Sequence, residues 1–119
     1  MTPSDGTSKA LVGRWKLERA YFGPSRDRDK TFTGIGGVNL VYVFFPDGRM
    51  QIRNEFDWDS PVVRRGTYGV AGRTIRHTAV WTTEGPRSVT EVIELFSSRL
   101  LRLRTDSDGV AREFRREER

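Results

Sequence analysis

From Trp15 to Tyr21 apolar and polar positions alternate with a period of two. Trp15, Leu17, Arg19 and Tyr21 fall on one face, and Lys16, Glu18 and Ala20 on the other. This is the signature of a strand with one buried and one wet side. Similar runs recur to the end of the chain, with turn residues between them and no helical period in the middle. They predict further strands over 38–45, 49–56, 62–68, 73–81, 88–96, 100–104 and 110–116, with Gly66 as a bulge. Pro46-Asp47-Gly48 makes a hairpin turn, because proline presets the first turn position and glycine accepts positive φ. Ser8 to Leu11 leads in and can form one helical turn capped by Ser8.

Eight sequential strands without a crossover imply an up-and-down antiparallel sheet, and eight such strands close into a barrel that leaves no free edge. The fold class expected is therefore all-β, an eight-stranded up-and-down antiparallel barrel with a short N-terminal helical turn. Connections after the second, fourth and sixth predicted strands are tight, and those after the first, third and fifth are longer. The tight set ties one end shut, beside the N-terminal turn. The loops 23–37, 57–61 and 82–87 frame a mouth at the other end, the first being expected to be the most mobile. In domain terms, 1–7 is a flexible N-terminus, 8–116 the barrel and 117–119 a charged tail.

The whole pattern resembles the small bacterial lipocalin-like (calycin) domains. The likeness rests on Leu11-Val12-Gly13-Arg14-Trp15, Phe44-Phe45-Pro46-Asp47-Gly48-Arg49, Arg65-Gly66-Thr67-Tyr68-Gly69 and Glu113-Phe114-Arg115-Arg116. It implies that an arginine of the last strand, Arg115 or Arg116, packs over the Trp15 indole at the closed end by a cation–π contact. It also implies a small hydrophobic or amphipathic ligand inside the barrel. Secreted lipocalins usually carry a disulfide and a signal peptide; this chain has no cysteine, and residues 1–6 lack a basic-then-apolar pattern.

Composition narrows the classes. At 119 residues the chain is one domain. Without cysteine there is neither a disulfide frame nor a thiolate site, and a single histidine disfavours a structural zinc, so no metal and no cofactor are expected. No apolar run reaches membrane-spanning length. The expectation is a cytoplasmic protein, monomeric or homodimeric, with no membrane or nucleic-acid partner. The net charge of +5 is carried almost wholly by arginine. It reflects either a composition bias or attraction for an anionic ligand. Arg102, Arg104, Arg112 and Arg116 are read as a stripe on a solvated outer face near Glu113.

By parity the barrel interior holds Trp15, Leu17, Arg19, Tyr21, Leu40, Tyr42, Phe44, Met50, Ile52, Asn54, Phe56, Tyr68, Ile75, His77 and Trp81. These aromatics either fill the barrel or line a cavity for an amphipathic molecule, hydrophobic and in some readings anionic. The candidate ligand-binding residues are Trp15, Arg19, Tyr21, Tyr42, Phe44, Asn54, Tyr68 and Trp81, with Arg19 as the group to orient an anionic end. His77 is either a hydrogen-bonded core residue or a catalytic acid–base. Glu91 and Glu94 lie on opposite faces of one strand, so one of them points inward. Small-molecule binding is the first functional reading. The alternative is an isomerase or cyclase that folds a flexible hydrophobic substrate in an aromatic pocket, and a filled-core interaction module is the third.

Overall fold

The structure, a computed structural model, describes residues 9–21, 31–32, 38–82, 85–106 and 109–117; at 21, 31, 32, 38, 79–82 and 85–87 it describes the backbone alone. Nine strands run in chain order: β1 (Gly13–Tyr21), β2 (Thr31–Phe32), β3 (Val38–Phe44), β4 (Arg49–Phe56), β5 (Val62–Ala71), β6 (Thr74–Thr82), β7 (Gly85–Phe96), β8 (Leu100–Thr105) and β9 (Ala111–Arg116). All pair antiparallel with their sequence neighbours, except that β1 passes β2 to pair with β3, and β1 pairs with β9 to close the sheet. The result is a closed eight-stranded up-and-down barrel, as the alternation and turn spacing predict.

Three details differ from the expectation. The two-residue β2, which lies within the long loop 23–37, adds to β1 through Ala20↔Phe32 and Tyr21↔Thr31; the rest of that loop lies outside the described residues, as do 1–7. Gly66 is no bulge: it pairs in register with Met50 on one side and Ala79 on the other. The bulges fall instead between Leu17 and Arg19, between Val80 and Thr82, and between Ile93 and Leu95. Those after Leu17 and Ile93 reverse the in–out sense of the strand beyond them, because an extra residue on one strand shifts a period of two by one. On β7 the reversal leaves Leu95 exposed and turns Phe96 inward, edge-on to Trp15 at 6.1 Å. Arg73 donates to the Ile93 carbonyl from Nε and Nη2 (3.1 and 2.9 Å), so the irregular backbone there is satisfied.

The turns 45–48, 71–74 and 97–99 and the helical turn at 9–11 gather at one end. There the core is Leu11, Trp15, Phe44, Met50, Ile52, Ile75, Leu101 and Phe114, all buried. Trp15 is 0% exposed, and its Nε1–H donates to the Leu11 carbonyl (2.8 Å). Arg116 is the arginine of the plug: its Cζ stands 4.2 Å from the indole centroid. Its Nε, Nη1 and Nη2 donate to the carbonyls of Ser98, Val12 and Ala10. Arg115 faces outward and pairs with Glu18 (2.6 Å). A side chain at position 13 would collide with this arrangement. Gly13 sits at φ 136, and a Cβ there would lie 2.7 Å from Arg116 Nη1.

Candidate functional site

Midway along the barrel the apolar core gives way to a row of polar side chains on its inner face. His77 on β6 and Glu91 on β7 are each 1% exposed, with Nε2···Oε2 at 2.9 Å. The other Glu91 oxygen accepts from the Thr105 hydroxyl on β8 (2.9 Å). Thr105 Oγ1 in turn accepts from Arg112 Nη1 on β9 (2.8 Å). Four adjacent strands thus supply one chain of hydrogen bonds, Arg112–Thr105–Glu91–His77. Its protons follow from the end that can only donate. Arg112 has no acceptor, so Thr105 must spend its own proton on Glu91, and Glu91 accepts on Oε1. Where the second oxygen also accepts, Nε2 of His77 carries the proton. Among the described residues nothing reaches the other ring nitrogen, Nδ1.

Tyr42 frames this row, with its ring edge-on to His77 at 5.9 Å and 4.5 Å from Phe114. Toward the mouth the inner face continues with Leu40 and Asn54, which pair in register. Phe56 follows, stacked on the exposed Trp58 of loop 57–61 at 5.4 Å. Arg64 pairs with buried Ile52 and so belongs to the inner face as well. Among the described residues no group of three His, Asp or Glu side chains could hold a metal ion.

The expected site residues separate into three groups. Tyr42 and His77 come together in the middle of the barrel, with Asn54 half-buried on the mouth side. Trp15, Phe44 and Tyr68 belong to the closed half. Phe44 and Tyr68 pack edge-on at 4.9 Å, and the Tyr68 hydroxyl donates to the Phe45 carbonyl (2.8 Å). Burial, together with nearby Asp47, pushes the Tyr68 phenol above its ordinary value. Tyr21 and Trp81 are described by backbone alone: Tyr21 pairs with Ala111 and Thr31, and Trp81 lies within the bulge on β6. The convergence of Arg19, Tyr21, Tyr42, Tyr68 and His77 inside one cavity therefore needs correction at Arg19. It is exposed and pairs in register with outward Glu113, because the bulge after Leu17 turns Ala20 inward in its place.

Arg112, expected on the outer stripe, lies on the inner face instead. Its parity with Phe114, which is 0% exposed, was visible in the sequence and is the signal that finds it. Arg64 shares the parity of Tyr68 in the same way, and Thr105 that of Leu101 and Leu103. Of the two glutamates, Glu91 is the inward one. Glu94 stays outside and holds Arg104 (3.1 Å) and Arg102 (3.7 Å). Arg102 also meets Glu113 (3.7 Å), so the remainder of the stripe is a paired outer face. Another such cluster joins Arg14, Glu55, Arg53 and Glu117. Burial there opposes ionisation of Glu55, but hydrogen bonds from Arg53 and Arg14 outweigh it and hold the carboxyl below its ordinary value. An open depression of about 580 Å³ on the outer face of β5–β7 involves Thr67, Gly69, Arg76, Thr78 and Thr90. These five have the opposite parity to His77 or pair with residues that do, and so face outward; Tyr68 and Val70, which also line the hollow, share the inner-face parity.

Comparison with known proteins decides the fold. A lipocalin-like protein from Bacteroides uniformis ATCC 8492 superposes with a TM-score of 0.68 at 19% identity, covering 91% of this chain and 99% of that one. This chain has the lipocalin-like fold. An uncharacterized protein from Bacteroides eggerthii DSM 20697 shares the same lipocalin-like architecture, with a TM-score of 0.65, 16% identity and coverage of 90% and 99%. No family model and no curated protein matches the chain. At these identities the shared property is the lipocalin-like barrel itself, and function has to be argued from the side chains it carries.

Proposed function

We propose that this barrel binds a small amphipathic molecule in its mouth half, apolar body against Leu40, Tyr42 and Phe56 and anionic end toward Arg112. The observation that carries the reading is the placement of Arg112 on the inner face, with its guanidinium held by buried Thr105. A guanidinium on an inner face is suited to recognise carboxylates, sulfonates and phosphates by charge-assisted hydrogen bonds. The Thr105 hydroxyl accepts from Arg112 Nη1, and Arg64 adds a second guanidinium-bearing residue to the same inner face. Arg112 and Arg64 on this face are the groups that would attract a carboxylate, a sulfonate or a phosphate ester. Apolar walls with a few convergent polar groups are the common composition of small-molecule sites.

Titration calorimetry with naphthoate and with neutral naphthamide tests this reading. Naphthoate should bind the more tightly. Arg112→Gln should weaken naphthoate by about ten- to a hundredfold and leave naphthamide nearly unchanged, as loss of a charge-assisted hydrogen bond predicts. Equal weakening of both, or no binding of either to the native protein, would remove the proposal.

A further inference from the structure

His77 supplies what Arg112 lacks, an acceptor. Where both Glu91 oxygens accept, the neutral imidazole donates from Nε2 and presents a lone pair at Nδ1. The charged form of the ring would place a cationic N–H in the same buried position with nothing to receive it. In an interior where buried polar atoms are paired as a rule, this nitrogen stands out. It is also held in place: the ring is fixed by Glu91 at one nitrogen and by the Tyr42 edge at 5.9 Å. The same side chain that leaves Nδ1 as an acceptor is tied, through Glu91 and Thr105, to the guanidinium proposed to meet the anion.

We infer that His77 Nδ1 accepts a hydrogen bond from a hydroxyl group of the bound molecule, so that the barrel selects a hydroxylated anion over its O-alkylated analogue. The inference rests on the binding reading above and narrows its ligand to a hydroxy acid or phenolic acid. An O-alkyl group cannot donate, and placing it against Nδ1 would leave the lone pair as unmet as before. The direction of selection is set by Glu91. Replacing it with glutamine keeps an oxygen for the Thr105 hydroxyl but offers an N–H₂ to His77 Nε2. The ring proton then moves to Nδ1, and the acceptor becomes a donor.

The chain contains one histidine, so the imidazole ¹⁵N resonances of the labelled protein belong to His77 alone. In the free protein Nε2 should be protonated and Nδ1 bare. A hydroxynaphthoate should shift Nδ1 strongly and bind about tenfold more tightly than the corresponding methoxynaphthoate, which should leave Nδ1 unmoved. In Glu91→Gln the proton should sit on Nδ1 and the preference for the hydroxyl should vanish or reverse. The native protein alone decides the matter if that variant fails to fold. Equal affinity for both naphthoates with Nδ1 unmoved, or Nδ1 protonated in the free protein, would overturn the inference and leave the binding reading standing. Failure of both naphthoates to bind would overturn the two together.

Discussion

At the closed end, Trp15, Tyr68 and Arg116 all donate to main-chain carbonyls. In the middle of the barrel, four polar side chains bond to one another and end in a histidine nitrogen with nothing to meet among the described residues. The two regions use the same inner face of the same strands. The difference lies in where the polar atoms are spent. Donors spent on backbone carbonyls lock strand ends and turns together, and that half is stable and closed. Polar atoms spent on one another tie four strands together across the middle of the barrel, at the cost of burying polar groups that packing alone does not require.

Substitutions can break that contrast. Trp15→Ala should cost about 3–5 kcal/mol in urea denaturation, the range for deleting a large buried aromatic. Ligand titrations on the surviving folded protein should be unaffected, since Trp15 belongs to the plug; a loss below about 1 kcal/mol would show that the plug does not hold the barrel shut. In the polar row, Glu91→Leu should cost about 3 kcal/mol, because Thr105 and His77 lose their shared acceptor. The double variant His77→Leu with Glu91→Leu should recover part of that loss, since it removes a pair instead of stranding one member. A double variant that is simply the sum of the singles would mean the row is not a coupled unit.

Gly13→Ala tests the plug by geometry. Its φ of 136 and the 2.7 Å approach of Arg116 to a new Cβ should cost about 1–2 kcal/mol. Arg116→Ala in the same background should remove the clash but not the backbone strain, which separates the two contributions. The smallest effect belongs to the outer face. The folded pKa of Glu55 lies below its ordinary value, so its stabilisation is fully present above the ordinary carboxyl range and is lost as pH falls through the folded value. Glu55→Gln should therefore cost about 0.2–1 kcal/mol at neutral pH and nothing in acid, as denaturation midpoints across pH would show. A cost that persists in acid would assign Glu55 a packing role in place of the ion pairs.

Much of the closed end was legible from residue order alone. Gly13 two positions before Trp15, tight turns after alternate strands, and basic residues in the last strand are local features, and the structure assembles them with Arg116 as the arginine of the plug. Tyr42 and His77 were legible as inner-face residues for the same reason, because no bulge interrupts their strands near them. Alternation places Arg19 inward, but one residue of slip between Leu17 and Arg19 turns it out and Ala20 in. The corresponding slip on β7 placed Phe96 against Trp15.

By itself, then, the sequence determined the period, the number of long strands, their antiparallel order and the end at which the barrel closes. Those properties follow from alternation and turn chemistry, which act over a few residues. Only the tertiary structure decided that Glu91 bridges His77 and Thr105, and that Arg19 leaves the interior. Both depend on register between strands far apart in sequence. A bulge is set by how β1 must bend to pair with β3, β2 and β9 together, and alternation within one strand carries no record of that demand.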